Sequence, residues 1–473
     1  MKQSAIFSII AYVASFSTAA ASGTPVLAVR ATSSSALAAR SSSTSSVEAV
    51  TISGNAFFKG SDRFYIRGVD YQPGGGTGVT SDPIANATAC KRDVEYFKEL
   101  GINTIRVYAV DNTADHDECM GYLADAGIYL VLDTDTPKYS LNRDDPKESY
   151  NSVYLQSIFA TIDKFANYTN TLAFLSGNEV INDVNNTDCA PYVKAVVRDM
   201  KQYIGSRGYR SIPVGYSAAD VASNQYILAE YLNCGTDDER SDFYAINDYS
   251  WCDPSSMTTS GWDILVKNYT GYGIPLFMSE FGCITNTRKF TEIAALYSTE
   301  MTAVFSGGLV YEYSNEGNGY GLVDITDGAV STTDQYTYLK EAYANTTSPT
   351  GNGGAVTTTG SASTCPTESS DWDVSGDALP AMPTSAKKYM TDGAGTGPGL
   401  DGSGSQDAGT SENESQGTAT AGSGAVTYTA SAGSSRSTSS KSVAGGRSAE
   451  IDMRAFGVVA FTFASMVGGM MLL

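Results

Sequence analysis

The sequence predicts a (β/α)8 barrel, the TIM-barrel fold, in which eight parallel strands alternate with helices. Eight short runs rich in apolar, β-branched and aromatic residues recur between residues 50 and 345, and helix-like segments separate them. Near-continuous apolar strands are typical of parallel sheets that are covered on both faces, which favours a closed barrel. The alternative is an open doubly wound sheet, but no G-x-G-x-x-G pattern follows the first strand to support a dinucleotide site.

The predicted strands are 64–71 (FYIRGVDY), 104–110 (TIRVYAV), 128–134 (IYLVLDT), 171–179 (TLAFLSGNE), 212–218 (IPVGYSA), 242–249 (DFYAINDY), 274–282 (IPLFMSEFG) and 308–314 (GLVYEYS). Two of the connecting segments show clear helical features. CKRDVEYFKELG carries apolar or aromatic side chains at Val94, Phe97 and Leu100 and then a glycine that stops a helix. PYVKAVVRDMKQYIGSRG begins with Pro191 and ends near Gly205, where helices favour these two residue types.

Charge and histidine content exclude several classes of function. The chain carries 51 acidic and 30 basic residues, a net charge of −21, which argues against a nucleic-acid partner because such proteins need a basic face. His116 is the single histidine, so Ser-His-Asp or Cys-His catalysis would depend on it, and we expect it at the surface of a helix start. Asp133 and Asp135 could be proposed as metal ligands, but isolated acids at strand ends are more often hydrogen-bond partners. We therefore expect no metal and no cofactor.

Both ends of the chain carry targeting patterns. Residues 1–21 read as a signal peptide, 22–48 as a low-complexity leader, 49–345 as the barrel domain and 346–390 as a small extension packed on it. The Gly/Ser/Thr-rich segment 391–447 is predicted to be a disordered stalk. Residues 448–473 fit a GPI-attachment signal that is removed, the alternative being a transmembrane helix. We favour the GPI anchor because no basic residue follows the apolar run, which predicts a secreted protein on the outer face of the cell membrane.

Entry into the secretory pathway permits disulfides and glycosylation. None of the seven cysteines forms a C-x-x-C motif, so a zinc or redox site is not indicated. N-glycosylation sequons occur at Asn86, Asn167, Asn185, Asn268, Asn345 and Asn413, and we expect these asparagines at the surface.

Polar side chains follow the predicted strands at the end where (β/α)8 barrels place their active sites. The strand ends supply Asp70, Tyr71, Gln72, Arg106, Tyr108, Asp133, Asn178, Glu179, Asp220, Asn247, Asp248, Tyr249, Glu280, Tyr311 and Tyr313. Glu179 ends the fourth strand and Glu280 the seventh, so the two carboxylates can face each other across the barrel mouth, as glycoside chemistry requires. Asn178 could bind a sugar 2-hydroxyl. The alternative is that these glutamates cap helices or pair with an arginine such as Arg106.

The motifs GVDYQPGG, RVYAVD, FLSGNEVIND, VGYSAAD, NDYSWC and MSEFGC resemble the fungal glycoside hydrolase family 72, the GPI-anchored 1,3-β-glucanosyltransferases of the cell wall. The resemblance covers roughly residues 50 to 390. It implies a retaining enzyme that cleaves β-1,3-glucan internally and transfers the new reducing end to the non-reducing end of another glucan chain. Donor and acceptor glucans are then the expected partners, and we expect the chain to act as a monomer.

Carried over residue by residue, the resemblance implies Glu179 as the general acid/base and Glu280 as the nucleophile. Glucan-binding positions implied in the same way are Tyr108, Asn178, Asp220 and Tyr311, together with the cleft positions Gln72, Asp133 and Tyr249. The family often has an arginine five residues after the matched aspartate, where this chain has Gln225, so acceptor binding is expected to differ.

The resemblance also implies three disulfides, Cys90–Cys119, Cys234–Cys365 and Cys252–Cys283, which leave Cys189 unpaired. A cysteine-rich carbohydrate-binding module, present in some relatives, is not expected here because Cys365 is the only cysteine after Cys283. Two other functions remain open from the sequence. A β-1,3-glucanase would use the same two glutamates with water as the acceptor, and a non-catalytic wall protein would only bind glucan.

Overall fold

The computed structural model describes residues 47–75, 81–357, 360–406, 408 and 418–419. A three-stranded antiparallel sheet, β1 (Val50–Ser53), β2 (Ala56–Lys59) and β3 (Asp62–Phe64), precedes the barrel. Eight parallel strands then close into a barrel in chain order. They are β4 (Ile66–Asp70), β5 (Thr104–Val107), β6 (Tyr129–Asp133), β7 (Thr171–Asn178), β8 (Val214–Ala219), β9 (Phe243–Asp248), β10 (Leu276–Phe281) and β11 (Phe305–Val310). The predicted fold class is confirmed.

Helices lie on the outside of the barrel, and all but the last two in the following list connect successive strands. They are α1 (Ala87–Leu100), α2 (Asp117–Asp125), α3 (Pro146–Ser149), α4 (Ser152–Phe165), α5 (Ala190–Ser206), α6 (Gln225–Leu232), α7 (Met257–Ser260), α8 (Trp262–Tyr269), α9 (Glu292–Leu296), α10 (Thr299–Thr302), α11 (Asp334–Asn345) and α12 (Tyr389–Asp392). Hairpin strands β12 (Val323–Thr326) and β13 (Ala329–Thr332) follow the barrel, and β14 (Leu379–Pro380) pairs with β15 (Thr418–Ala419). Short 3₁₀ helices occupy Val184–Cys189 and Thr384–Ala386.

The small N-terminal sheet closes the end of the barrel opposite the active-site end. Phe57 of β2 lies 6.0 Å, between ring centroids, from both Phe243 and Phe277 near the beginnings of β9 and β10. All three rings are fully buried. The barrel interior at this end is therefore packed with side chains, which leaves the carboxyl ends of the strands as the open mouth.

The eighth strand begins and ends earlier than the sequence predicts. β11 spans Phe305–Val310 and not 308–314, so Tyr311 and Glu312 lie beyond the strand. Gly307 and Gly308 have weak strand propensity, which hides the true start. The packing explains why glycine is there, since a Cβ on Gly307 would lie 2.1 Å from the Ile66 carbonyl oxygen of the neighbouring strand.

Three disulfides join the pairs that the family resemblance implies: Cys90–Cys119, Cys234–Cys365 and Cys252–Cys283. Cys189 is free and buried. The Cys234–Cys365 bridge ties the extension after the barrel to the region that follows α6. Trp372 of this extension is fully buried, and its ring lies 5.3 Å from that of Tyr231. The extension therefore shares the core of the barrel domain.

The prediction that disorder begins at residue 391 is wrong for residues 391–406. This stretch lies against the barrel through hydrogen bonds, for example from the Gln156 amide to the carbonyl oxygens of Ala394 and Thr396 at 3.1 and 3.0 Å. This stretch has few apolar side chains, so its sequence shows no hydrophobic pattern that would predict packing. Its contacts with the barrel are made mainly by backbone groups. The rest of the predicted stalk lies outside the described residues, apart from Ala408 and the short strand β15.

The expected surface position of His116 is also wrong. The ring is only 1% exposed, packs 4.6 Å from Phe165 and places Nε2 2.7 Å from an Asp82 carboxylate oxygen. The polar segment around the residue suggested exposure, whereas Asp82, distant in sequence, supplies a buried partner.

The signal peptide, nearly all of the leader, the GPI signal and Asn413 lie outside the described residues. The other five sequon asparagines are exposed, which agrees with the expectation for glycosylation sites. Within the ranges given above, no helix has the length and apolar character required to cross a bilayer.

Candidate active site

The carboxyl ends of the barrel strands surround a cavity of about 390 Å³. Acidic and aromatic side chains dominate its lining, as the strand-end residues of the sequence predict. The lining residues are Gly75, Tyr108, Asp133, Asp135, Thr136, Pro137, Ser140, Asn178, Glu179, Glu280, Tyr311 and Glu312. Glu179 and Glu280 therefore share one cavity.

Glu280, the penultimate residue of β10, accepts hydrogen bonds on both carboxylate oxygens. Oε1 accepts from Arg106 Nη1 at 3.1 Å and from the Tyr108 hydroxyl at 2.9 Å, and Oε2 accepts from the Tyr249 hydroxyl at 2.7 Å. Burial raises the pKa of Glu280, while Arg106 and the two tyrosine hydroxyls oppose that rise. A carboxylate held by a cation and two neutral donors is oriented and stabilised in its ionised form, which suits a nucleophile.

Arg106 connects Glu280 to a second acid. Its guanidinium donates to both oxygens of Asp133 at 2.9 and 2.8 Å, a bidentate pair that is entirely buried. The guanidinium also lies over the Tyr108 ring, 4.3 Å from its centroid. Asp133 lines the cavity as predicted, but both of its oxygens are engaged by Arg106, so it fixes the cation beside Glu280.

Glu179 follows the last residue of β7, at the point where the backbone turns out of the barrel. Its φ of 50° is in the left-handed region, and Arg143 donates to its carbonyl oxygen at 2.9 Å. The side-chain Oε1 accepts from Asn247 Nδ2 at 2.8 Å. Among the described residues, the partly exposed Glu179 carboxylate accepts from one amide, whereas the buried Glu280 carboxylate accepts from a cation and two hydroxyls. The two acids therefore lie in different environments, as an acid/base and nucleophile pair requires.

Asn178 lines the same cavity and is oriented by its neighbours. Its Oδ1 accepts from Ser217 Oγ at 2.7 Å and from Asn247 Nδ2 at 3.1 Å. The Oγ of Ser217 in turn lies 2.9 Å from the Oγ of Ser279, the residue directly before Glu280. With the carbonyl oxygen occupied, the Nδ2 group of Asn178 is the part of the amide left to meet a ligand in the cavity.

Tyrosine rings form one wall of the site. Tyr311 makes edge contacts with Tyr108, Tyr249 and Tyr320, at centroid distances of 6.4, 6.2 and 5.2 Å. Arg288 donates to the carbonyl oxygens of Tyr311 and Tyr320 and so fixes the two segments that carry these rings. Such rings provide the apolar surfaces on which sugar rings stack.

Three of the predicted glucan-binding residues, Gln72, Asp220 and Tyr249, are not among the cavity-lining residues, and Tyr249 instead donates to Glu280 Oε2. The Gln72 side chain is 2% exposed, and its Oε1 accepts from the backbone of Tyr108 and Ala109 at 3.0 and 3.2 Å, so it supports Tyr108 from behind. Asp220 lies after β8 and is exposed, outside the set of lining residues.

Three further acids lie at the site: Asp70, which the sequence places at a strand end, Asp135, which the sequence offers as a possible ligand, and Glu312, which no sequence pattern singled out. Burial and Asp133 raise the pKa of Asp135 to about 8, and burial raises that of Glu312 to about 7. Asp70 is fully buried, neither of its carboxylate oxygens has a hydrogen-bond partner among the described residues, and burial raises its pKa well above the ordinary value. The signal that points to Glu312 is its position two residues after the end of β11. In the described part of the chain, no group of three or more His, Cys, Asp or Glu residues is arranged to hold a metal ion.

Comparison with known proteins decides the family. A family model described as Glucanosyltransferase, that of glycoside hydrolase family 72, matches residues 39–347. The chain belongs to this family. Among curated family members, it is 64% identical to the 1,3-β-glucanosyltransferase gel1 of Aspergillus fumigatus over 75% of this chain and 78% of that protein. It is 54% identical to the 1,3-β-glucanosyltransferase GAS5 of Saccharomyces cerevisiae over 74% and 73% of the two chains.

A solved structure from the same family shows the same fold. Saccharomyces cerevisiae Gas2 in complex with laminaritriose and laminaritetraose superposes with a TM-score of 0.67 at 38% identity, covering 72% of this chain and 78% of that one. The family match ends at residue 347, so the extension and the segment up to residue 406 lie beyond it.

Proposed function

We propose that this glucanosyltransferase is a retaining 1,3-β-glucanosyltransferase in which Glu280 is the nucleophile and Glu179 the general acid/base. The observation that carries the assignment is the contrast between the two acids of one cavity. Glu280 is held by Arg106, Tyr108 and Tyr249, whereas Glu179 is partly exposed and accepts from a single neutral amide. The laminari-oligosaccharides bound by the relative Gas2 are short β-1,3-glucans and support the substrate class.

In the first step, a Glu280 oxygen attacks the anomeric carbon of a glucose unit in the donor chain. Glu179 gives its proton to the glycosidic oxygen, the C1–O bond breaks, and the fragment on the reducing-end side leaves with that proton. The remaining fragment is bound to Glu280 as an ester. Asn178 Nδ2 is placed to donate to a hydroxyl of the reacting sugar, a contact that strengthens as positive charge develops on the ring.

In the second step, the 3-hydroxyl at the non-reducing end of an acceptor glucan replaces the departed fragment. Glu179, now ionised, removes the hydroxyl proton, the oxygen attacks C1, and the ester bond to Glu280 breaks. One β-1,3 bond has been cleaved and one formed, so the acceptor is elongated and both glutamates return to their first state. Two displacements at C1 give net retention of configuration.

The test is to incubate the full chain with a defined β-1,3-gluco-oligosaccharide and to follow product lengths. Products longer than the substrate indicate transfer. Only shorter products would indicate a glucanase, and unchanged substrate would indicate a binding protein. We expect Glu179→Gln and Glu280→Gln each to reduce the rate by at least about 10³-fold, the scale for loss of a positioned acid/base or nucleophile. Glu300→Gln is the matched control, because Glu300 is exposed on α10.

We also propose that residues 448–473 direct GPI attachment and that the mature monomer acts at the outer face of the cell membrane or in the wall. The small residues at 442–446, the polar spacer 447–454 and the apolar run 455–473 support this. A phospholipase specific for GPI should release the protein from membranes. Retention after treatment, combined with a mass that still contains the C-terminal run, would contradict the anchor.

A further inference from the structure

Residues 393–406, which we call the strap, lie across the outside of the barrel next to the active-site cavity. They follow α12 and lie beyond both the family match and the region that the sequence predicts to be folded. Their backbone exchanges hydrogen bonds with barrel residues along the whole strap. These bonds are Ala394 N to Tyr203 Oη (2.8 Å), Gly399 N to Asn112 Oδ1 (3.0 Å), Gly404 N to Tyr139 Oη (3.2 Å), Ser405 N to Lys138 O (2.9 Å) and Asn151 Nδ2 to Ser405 O (2.7 Å).

Glycine allows the strap to lie this close. A Cβ on Gly397 would lie 2.0 Å from Asn112 Oδ1, and one on Gly402 would lie 2.0 Å from Tyr139 Oη. Real Cβ atoms do not approach other atoms so closely, so these two positions accept no side chain without displacing the strap or its partner. Tyr139 is 2% exposed and has little room to move. Glycine at these two positions is therefore a packing requirement.

The strap holds a loop whose other side lines the cavity. This loop, residues 134–145 between β6 and α3, presents Lys138 and Tyr139 to the strap, while Thr136 and Pro137 line the cavity. Ser140 does both, because it lines the cavity and its Oγ accepts from Gln406 Nε2 at 3.0 Å. The loop thus lies between the strap and the space that the glucan occupies.

The same loop reaches the proposed acid/base. Arg143 Nη2 donates to the carbonyl oxygen of Glu179 at 2.9 Å, at the backbone turn that carries this side chain into the cavity. Five of the cavity-lining residues come from the chain between the end of β6 and residue 140: Asp133, Asp135, Thr136, Pro137 and Ser140. A displacement of the loop would therefore move one wall of the glucan cleft.

We propose that the strap is a positioning element of the enzyme, which fixes the 134–145 loop as a glucan-binding wall, and that the complete catalytic unit extends to residue 406. A chain ending at the family boundary or at residue 390 lacks this support. The strap touches none of the atoms that react, so its effect is on glucan binding more than on bond making. The proposal rests on the glucan-transfer function proposed above.

The experiment compares single substitutions in the full chain. Gly402→Ala places a methyl group against Tyr139 Oη, and we expect it to raise KM for a β-1,3-gluco-oligosaccharide about tenfold while kcat changes less than about threefold. Hydrogen exchange of the 134–145 backbone should become faster in the same variant. Ser403→Ala is the matched control, since Ser403 is the exposed neighbour on the strap and should leave both measurements unchanged.

Tyr139→Phe provides a rescue, because it removes the oxygen that the new methyl group would strike. We expect the Gly402→Ala, Tyr139→Phe double variant to return KM to within about threefold of the value for the Tyr139→Phe single variant. A purely general loss of stability would not be reversed by this change. If Gly402→Ala melts below the assay temperature, Gln406→Ala replaces it, since it removes only the hydrogen bond to Ser140 and should show a smaller rise in KM.

Three results would overturn the proposal: an unchanged KM despite faster exchange of the loop, a loop that exchanges no faster, or a fall in kcat with KM unchanged. If the proposed transfer function is wrong, the unsubstituted chain will give no elongated product. That outcome can be distinguished from failure of the strap proposal. The hydrogen-exchange comparison would still report whether the strap holds the loop.

Discussion

Glu292, at the beginning of α9, provides a stringent prediction because it is a buried acid that does not line the active-site cavity. The residue is 1% exposed, and no other described residue donates a hydrogen bond to either carboxylate oxygen. Burial, with a smaller contribution from Asp253, raises the pKa of Glu292 to about 8 against the ordinary 4.5, while its own backbone N–H and Arg288 oppose the rise. The folded protein therefore keeps this proton at neutral pH, whereas the unfolded chain loses it.

The sign of the effect follows from proton linkage. Below pH 4.5 both states carry the proton, so Glu292 has no pH-dependent effect on stability. As the pH rises from 4.5 towards 8, the unfolded state is progressively favoured because only it ionises. At pH 7 this amounts to about 2.5 pH units at about 1.4 kcal/mol each, or about 3 kcal/mol of lost stability. Glu292→Gln removes the ionisation and keeps the shape, so it should recover about that amount at pH 7 and little at pH 4.

Urea unfolding of the two proteins at pH 4, 5.5 and 7 measures the difference. We expect the Glu292→Gln variant to gain stability steadily across this range, while Glu300→Gln, an exposed substitution on the neighbouring helix, shows no such trend. Equal midpoints for Glu292→Gln and the unsubstituted chain at all three pH values would refute the reasoning. A loss of stability at pH 7 would refute it as well, since it would mean that the carboxylate is ionised and paired.

Other predictions concern the site and the extension. Tyr249→Phe removes the only donor to Glu280 Oε2 among the described residues, a charge-assisted bond of about 1.5–3 kcal/mol. We expect kcat/KM to fall roughly 10- to 150-fold, and the acidic limb of its pH profile to move to higher pH because the pKa of Glu280 rises; an unshifted limb would argue against this role. Cys365→Ser opens the bridge to Cys234 across 131 residues and should reduce the free energy of unfolding by about 2–5 kcal/mol in urea titrations, with catalysis at low temperature retained. Asn178→Ala should reduce kcat more than it raises KM. A donor without the 2-hydroxyl identifies the partner: the variant should act equally on the 2-deoxy donor and the normal donor, whereas the unsubstituted chain should prefer the normal donor.

The barrel and its two glutamates could be predicted from the sequence because one geometric rule connects them. Apolar runs predict strands, and parallel strands in a barrel bring their carboxyl ends to one mouth. A polar residue directly after a run, such as Glu179 or Glu280, is thereby placed at the mouth without knowledge of any contact. The rule depends on the strand boundary, which explains why it works less well at β11, where Gly307 conceals the start of the strand.

The contacts between distant residues could not be predicted in this way. Asp133 and Gln72 were expected to bind glucan, but Asp133 is held by Arg106 and Gln72 supports the backbone of Tyr108. Both roles depend on pairings that the strand pattern does not specify. The packed segment 391–406 escaped prediction for a related reason, since hydrogen bonds made by a glycine-rich backbone leave no hydrophobic pattern in the sequence.

The central claim is that Glu280 forms a covalent bond to the cleaved glucan. A direct measurement uses the Glu179→Gln variant with a β-1,3-gluco-oligosaccharide that carries an activated leaving group. Such a donor needs no proton to react, while release of the enzyme-bound sugar still needs the missing base, so the intermediate should accumulate. Mass spectrometry after proteolysis should then find the mass of the donor oligosaccharide without its leaving group on the peptide that contains Glu280. An adduct on a different carboxylate, or reaction of the donor without any adduct and with inverted product configuration, would contradict the account.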